Sequence, residues 1–176
     1  MAVVFKRYQI EFRLIEQSDI EQLRQWRNRD DIRLMMVDQS EVSQAQQQAW
    51  FERLDSHKNR HHFALWFRDQ LIGYANVSLD ESDSASTGLY IGHEKYRGSM
   101  LAICVGVGLS EWCFEQQPIT RINAQVVPHN QAALRFNESL GYQVIEQNDS
   151  WVFLNKTQQD FEQARERLLP LLSRFS

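Results

Sequence analysis

The sequence predicts a mixed α/β (α+β) fold. Runs that alternate between polar and apolar residues, as in a half-buried strand, share the chain with segments that repeat apolar residues at i, i+3 and i+4, as in a helix. The 176 residues suit one domain with a sizeable core, because domains cluster around ~100–150 residues. No internal repeat, low-complexity tract or linker divides the chain. We therefore predict one domain over residues 1–176.

The first predicted strand covers residues 8–15, where polar and apolar residues alternate. A short helix follows. Ser18 can cap its first turn, with Glu21 completing a capping box, and the helix is predicted to end near Asn28.

A second capping box, formed by Ser43 and Gln46, predicts a helix over residues 43–57. The apolar period then changes to that of strands. We predict a strand at 62–68, a turn at 69–70, a paired strand at 71–79 with a bulge at Gly73, and a polar, mobile loop at 80–86.

A strand, a turn and a helix follow at residues 86–114. TGLYIG at 87–92 is typical of a strand, and helical spacing of apolar residues begins at Leu101. The first turn of a helix has unpaired N–H groups and a partial positive charge, which suits a phosphate. Arg97 adds a permanent charge and Gly98 removes a side chain. An ordinary turn with a surface arginine is the alternative interpretation.

The remaining elements follow from turn and cap residues. Asn130 is a predicted N-cap, Gly141 a left-handed C-terminal cap, and Thr157 the cap of the last helix. We predict a strand at 121–127, a helix ending at Leu140, a hairpin of strands 142–145 and 151–154, and an amphipathic helix at 157–173.

The net charge and the length of the apolar runs limit the kinds of partner and the cellular location that we expect. Nineteen Lys and Arg against twenty-three Asp and Glu give a net charge of −4 with interspersed signs, which favours neither a nucleic acid nor an acidic membrane surface. The longest apolar or glycine run, 100–109, is far short of the ~20 residues that cross a bilayer. We expect a small-molecule partner and a cytoplasmic protein. Cys104 and Cys113 are expected to be buried and unbridged.

Two segments resemble the GNAT acyltransferases, and the resemblance extends over residues 8–155. YIGHEKYRG at 90–98 is similar to the acetyl-CoA strand and pyrophosphate turn of that superfamily, and NQAALRFNESLGY at 130–142 to its Asn-x-x-Ala helix. The resemblance implies a mostly antiparallel central sheet flanked by helices, acetyl-CoA as co-substrate and no metal. The implied cofactor-binding residues are Leu89, Tyr90, Ile91, Arg97, Gly98, Ser99, Met100, Leu101, Ala102, Asn130, Ala133 and Phe136.

Two positions depart from the superfamily pattern. Met100 stands at the central glycine of the pyrophosphate turn, so a side chain lies where a phosphate usually approaches bare backbone. Phe136 stands where many members have a tyrosine that protonates the leaving thiol, and phenylalanine cannot donate that proton.

The segments Trp26-Arg27-Asn28, Arg33 with Met35-Met36, and Trp50-Phe51 resemble the amino-terminal part of the N-acetyltransferases that modify UDP-linked amino-dideoxy sugars in pseudaminic acid biosynthesis. Ribosomal-protein N-terminal acetyltransferases share part of this pattern. The resemblance to the sugar-modifying enzymes implies that the acceptor binds against a wall made of Trp26, Arg27, Arg33, Met35 and Met36. The arginines suit a diphosphate. A core position on an amphipathic helix is the alternative interpretation of Trp26.

The resemblance thus predicts direct transfer of acetyl from acetyl-CoA to a primary amine, first of all on a nucleotide-linked amino-deoxy sugar. His93, Glu94 and Ser78, the last through water, are candidates for the base by position, and a solvated turn is the alternative interpretation of the first two. A protein N-terminus as acceptor, a ligand-binding domain that lost catalysis, and a homodimer all stay open.

Overall fold

The computed structural model describes residues 2–56, 58–80 and 82–176. Its described strands form one eight-stranded, mostly antiparallel sheet with the order β1-β2-β3-β4-β5-β6-β8-β7, which confirms the predicted fold class. The strands are β1 Val3–Arg7, β2 Ile10–Arg13, β3 Arg60–Phe67, β4 Gln70–Asp80, β5 Ser84–Ile91, β6 Arg121–Val126, β7 Gln143–Gln147 and β8 Val152–Thr157. The helices are α1 Ile20–Asn28, α2 Asp30–Arg33, α3 Gln44–Phe51, α4 Leu101–Gln116, α5 Gln131–Ser139 and α6 Gln158–Leu172.

The helices divide between the two faces of the sheet. Buried residues of α4 and α6, such as Val105 and Phe161, form one core with Phe63 and other sheet residues. Buried residues of α1, such as Leu23, form a second core on the opposite face with Ala64. Because neighbouring residues of a strand point to opposite faces, each central strand contributes to both cores.

The N-terminal hairpin differs from the prediction. The predicted strand at 8–15 was wrong at its start, because Tyr8 and Gln9 have φ of +51° and +63° and form the turn between β1 and β2. Alternation of polar and apolar residues continues through this turn, so the pattern alone does not reveal it.

One predicted cap was wrong and one is confirmed. α1 has Asp19, not Ser18, at its N-cap, and no side chain caps it, because the Asp19 carboxylate accepts a hydrogen bond from the Glu16 amide instead. The capping box of Ser43 and Gln46 is present in both directions. α3 ends at Phe51, before a 3₁₀ turn at Leu54–Ser56, and the predicted end at His57 lies outside the described residues.

The hairpin of β3 and β4 is confirmed with its bulge beside Gly73, but its turn lies at Arg68 and Asp69, which have positive φ. The predicted mobile loop at 80–86 was wrong. Asp80 is the last residue of β4, β5 begins at Ser84, and Glu81 lies outside the described residues. Ser84 is buried and its hydroxyl donates to the Asp80 carboxylate, so polar residues here pair with each other within the sheet.

The carboxyl-terminal part follows the prediction closely. The Asn130 side chain accepts a hydrogen bond from the Ala133 amide, and Thr157 forms a capping box with Asp160. Gly141 has a φ of +90° after α5, as a left-handed cap requires. Both cysteines are buried and free, as expected. Within the described residues, no helix is both long enough and apolar enough to cross a membrane.

The pairing of β5 with β6 is what positions the site. The two strands are parallel, and their pairing covers residues 84–86 and 121–123. Beyond these residues β5 continues alongside β4, while β6 continues alongside β8. The sheet therefore separates between residues 87–91 and 124–126.

Candidate active site

A cavity of about 420 Å³ lies where β5 and β6 separate, and we call it the splay cavity. It has walls on both faces of the sheet. Its lining consists of Asp31, Ile32, Met35 and Met36; Thr87, Gly88, Leu89 and Tyr90; Ala102, Gly106, Leu109 and Ser110; Ala124, Gln125 and Val126; and Asn130, Ala132, Ala133, Phe136, Asn137, Leu140 and Tyr142.

The edge of β5 that faces the splay cavity carries unpaired backbone groups. The Gly92 amide donates to the Ile72 carbonyl, 2.9 Å away on the β4 side. Because backbone groups alternate between the two edges of a strand, the amides of Leu89 and Ile91 point away from β4, toward the gap left by β6. Two N–H donors therefore face a cavity that can hold an extended ligand.

The first turn of α4 offers a second set of donors. Among the described residues, the amides of Gly98, Met100 and Ile103 have no hydrogen-bond partner. Gly98 has a φ of +64°, and a Cβ built there meets nothing within 4 Å. The turn therefore exposes backbone N–H groups at a helix N-terminus, an arrangement that suits an anion.

Arg97 is held by an ion pair with Asp31. Asp31 also accepts from Arg29, at 2.9 Å, and Arg29 in turn donates to the Gly92 carbonyl. Burial works to raise the pKa of the Asp31 carboxyl, but the hydrogen bond from Arg29 and the charges of both arginines hold that pKa below its usual value. These contacts attach the turn before α4 to α2. They also neutralise part of the Arg97 charge that the sequence analysis expected to bind a phosphate.

The two departures from the superfamily pattern have different surroundings. Met100 is the half-buried N-cap of α4; it lies outside the lining of the splay cavity and outside both cores. Phe136 lines the splay cavity, where its ring would lie 3.0 Å from a Cβ at Gly106. The close approach of α4 and α5 therefore depends on glycine at position 106.

A second cavity of about 400 Å³ lies on the α1 and α3 face, and we call it the front cavity. Tyr90 lines both cavities, so the two cavities adjoin at this residue. The lining of the front cavity is Leu23, Arg27, Asp38, Ser40, Glu41, Val42, Gln46, Gln47, Trp50, Tyr74 and Tyr90.

The predicted acceptor wall is brought together only in part. Met35 and Met36 line the splay cavity, and Arg27 lines the front cavity, where it donates to the Asp38 carbonyl. Arg33 lies outside both linings and is engaged by Asp30 and the Gln39 carbonyl, at 2.7 and 2.8 Å. Trp26 is 9% exposed in the second core.

The three candidate bases lie outside the lining of both cavities. Glu94 is exposed in a 3₁₀ turn. His93 is half-buried between Trp26 and Tyr96, with ring centres 6.4 and 5.1 Å away. Ser78 lies opposite Ser86 in the sheet.

Of the predicted cofactor residues, Leu89, Tyr90, Ala102, Asn130, Ala133 and Phe136 line the splay cavity. Sequence reasoning missed Tyr74 and Tyr142, which line the front and splay cavities. The alternating pattern of β4 could have indicated Tyr74, because it assigns that residue to one face of the strand. Within the described part of the chain, no group of three or more His, Cys, Asp or Glu side chains could hold a metal ion.

Comparison with protein families gives a match over residues 9–143 to the family described as acetyltransferase (GNAT) domain. Comparison with curated protein sequences gives no match.

Solved structures share the fold at low sequence identity. The aminoglycoside acetyltransferase AAC(6')-Ib in complex with coenzyme A has 19% identity and a TM-score of 0.74 over 89% of this chain and 99% of that one. The spermidine N-acetyltransferase from Vibrio cholerae, in complex with CoA and spermine, has 15% identity and a TM-score of 0.79 over 88% and 98%. The Campylobacter jejuni N-acetyltransferase PseH has 15% identity and a TM-score of 0.67 over 85% and 99%.

Proposed function

This chain belongs to the GNAT acetyltransferase family, and we propose that it moves an acetyl group directly from acetyl-CoA to the primary amine of a small molecule. Family membership makes acetyl-CoA the co-substrate of an N-acetyltransferase reaction. The observation that carries the proposal is the splay cavity beside the unpaired edge of β5, together with the free N–H groups at the start of α4, the helix whose residue Ala102 lines that cavity.

The residues present fit the two polar parts of acetyl-CoA. The pyrophosphate suits the free amides of Gly98, Met100 and Ile103, since a helix N-terminus attracts anions and the space beside Gly98 is open. The pantetheine arm carries amide groups, which suit the edge of β5 at Leu89 and Ile91.

The reaction needs a neutral amine, a polarised carbonyl and a leaving thiol. The amine nitrogen bonds to the thioester carbon, the C–S bond breaks, and the sulfur leaves with the electron pair. The amide of Leu89 or Ile91 can donate to the carbonyl oxygen as negative charge develops there. Holding both substrates in one orientation supplies ~7–11 kcal/mol, so positioning is the larger contribution.

Phenylalanine at position 136 takes away a general acid for the leaving thiol, but the reaction can proceed without one. A general acid typically gives a rate gain of ~10²–10⁴-fold, whereas a thiol of pKa ~8.5 is a tolerable leaving group near neutral pH. We therefore expect a slower enzyme rather than an inactive one. His93, Glu94 and Ser78 stay predictions as bases, and their positions outside the cavities do not favour them.

A nucleotide-linked amino-deoxy sugar is the first candidate acceptor. Met35 and Met36 offer apolar surface in the splay cavity, and Arg27 offers a cation in the front cavity. The fold shared with PseH is consistent with this candidate. Arg33 contributes less than the sequence implies, since its guanidinium is engaged by Asp30.

A cationic amine is the second candidate, and a different observation favours it. Asp38 and Glu41 line the front cavity, where their negative charges would attract an ammonium group. Structures with this fold include enzymes named for aminoglycosides and for spermidine. A protein N-terminus stays a prediction as an alternative acceptor. We also keep as predictions a single domain over residues 1–176, a cytoplasmic location and a homodimer.

A thiol-release screen with acetyl-CoA distinguishes these acceptors. The probes are a UDP-linked amino-dideoxy sugar, kanamycin, spermine and a short peptide with a free N-terminus. Turnover of the UDP sugar alone would support the first candidate, and turnover of kanamycin or spermine alone the second. Turnover of the peptide alone would contradict both. Binding of acetyl-CoA without turnover of any amine would favour a domain that lost catalysis.

A further inference from the structure

One lining residue of the front cavity, Tyr74, belongs to a hydrogen-bonded pair that the predicted site does not include. The Tyr74 hydroxyl and His62 Nδ1 lie 2.6 Å apart. Tyr74 lines the front cavity, and its ring stacks on Tyr90 with the ring centres 5.5 Å apart. Since Tyr90 also lines the splay cavity, the pair lies next to the residue that the two cavities share.

The direction of this hydrogen bond follows from the chemistry of the two groups. Burial raises the pKa of the Tyr74 phenol well above its usual range, so the hydroxyl keeps its proton. A phenol has one O–H to donate, and a neutral imidazole nitrogen without a proton accepts it. The hydroxyl therefore donates to Nδ1 when His62 is neutral, and the imidazole proton is on Nε2. The Trp50 ring lies perpendicular to the His62 ring at 5.4 Å and helps to fix its orientation.

We propose that Tyr74 and His62 together take the proton from the ammonium group of the acceptor, an inference that rests on the proposed function. The ammonium gives its proton to the Tyr74 oxygen as the Tyr74 O–H proton passes to His62 Nδ1. A neutral amine with a free electron pair, an unchanged phenol and an imidazolium result. The single positive charge has moved from nitrogen to nitrogen. His62 is half-buried and returns the proton to water.

Charged groups of both signs face the pair. The Arg60 charge acts on Tyr74, and Arg27 lines the same cavity; both oppose a second positive charge. The Asp38 and Glu41 carboxylates also line the cavity, where they attract the ammonium and favour the imidazolium. Tyr90 stays neutral, since burial raises the pKa of its phenol.

The adjacent histidines of β3 provide a matched test. His62→Gln and Tyr74→Phe remove the two members of the pair. His61→Gln is the control, because neighbouring strand residues point to opposite faces and the His61 ring packs on Trp112, 5.0 Å away, on the other face. The amine probes are the UDP-linked amino-dideoxy sugar, kanamycin and spermine.

We expect both test variants to lose about 10²-fold in kcat/KM for the amine at pH 7, a typical loss for a proton-transfer group. The ascending limb of the pH profile should move to higher pH, because the neutral amine then forms without help from the protein. The KM for acetyl-CoA should stay at the wild-type value. The His61→Gln control should keep both the rate and the pH profile.

Two outcomes would overturn the pair's role. A wild-type pH profile in both test variants would do so and would leave the acetyltransferase function intact, whereas a wild-type protein that fails to bind acetyl-CoA would contradict the proposed function itself. The second readout needs no acceptor. The NMR signal of the His62 ring, assigned by its loss in His62→Gln, should show a neutral imidazole at pH 8; an imidazolium that persists there cannot accept a proton.

Discussion

Lys156 is a side chain whose environment no local sequence pattern reveals. It is fully buried, and its Nζ donates to the Ser110 hydroxyl at 2.7 Å and to the Leu140 carbonyl at 3.3 Å. The Tyr142 ring lies 4.2 Å from Nζ. Burial lowers the pKa of the Lys156 ammonium to about 7, while the nearby Cys113 acts in the opposite direction. The charged form is therefore costly in the folded protein.

This lysine should make stability depend on pH. In the unfolded chain a lysine has a pKa of ~10.4, so between about pH 7 and that value the unfolded chain binds a proton that the folded protein releases. The free energy of unfolding then rises with pH across this window. We expect the free energy of unfolding of wild type, measured in urea, to rise relative to that of Lys156→Met between pH 6.5 and pH 9.5.

The comparison isolates one group, because every other titrating residue is the same in both proteins. A difference in unfolding free energy that stays constant over this range would contradict a shifted pKa for Lys156.

At the scale of elements, the sequence predicted those features that depend on residues close together in the chain. The capping box of Ser43 was found because its two partners are three residues apart. Ser18 has the same sequence pattern, yet α1 begins after Asp19 without a side-chain cap, and the Asp19 carboxylate accepts a hydrogen bond from the Glu16 amide before the helix. The strand, turn and helix around Gly98 were predicted closely for the same reason. The separation of β5 from β6 was not, since it depends on which distant strands pair.

The packing of α4 against α5 should control the width of the splay cavity. A Cβ at Gly106 would lie 2.6 Å from Leu140 and 3.0 Å from Phe136, and all three residues line that cavity. Gly106→Ala should therefore push these side chains into the cavity and weaken acetyl-CoA binding about tenfold, or about 1.4 kcal/mol. Isothermal calorimetry measures this directly.

Gly108→Ala is the matched control. It lies on the same helix, and its Cβ would meet Arg7 at 2.9 Å, away from the splay cavity. Both substitutions raise helix propensity by up to ~1 kcal/mol, so a change in propensity cannot explain a difference between them. Equal affinities in the two variants would contradict the role given to Gly106.

At the scale of the whole molecule, two cavities meet at one strand. The splay cavity crosses the sheet beside β5, and the front cavity lies on the α1 and α3 face, with Tyr90 common to both. This arrangement can hold two substrates whose reacting groups meet beside the residue that the two cavities share. Some residues that the resemblance implies for the cofactor, such as Leu89, Ala102 and Asn130, line the splay cavity. The front cavity combines residues from five separate segments, which no motif records.

Titration of the folded protein with acetyl-CoA in a calorimeter, with coenzyme A as the comparison, tests the central claim most directly. We predict saturable binding of one acetyl-CoA per chain, because the donors of β5 and α4 are accessible despite Met100. Absence of binding heat at several temperatures, with the fold verified by circular dichroism, would contradict an acetyl-CoA site in the splay cavity.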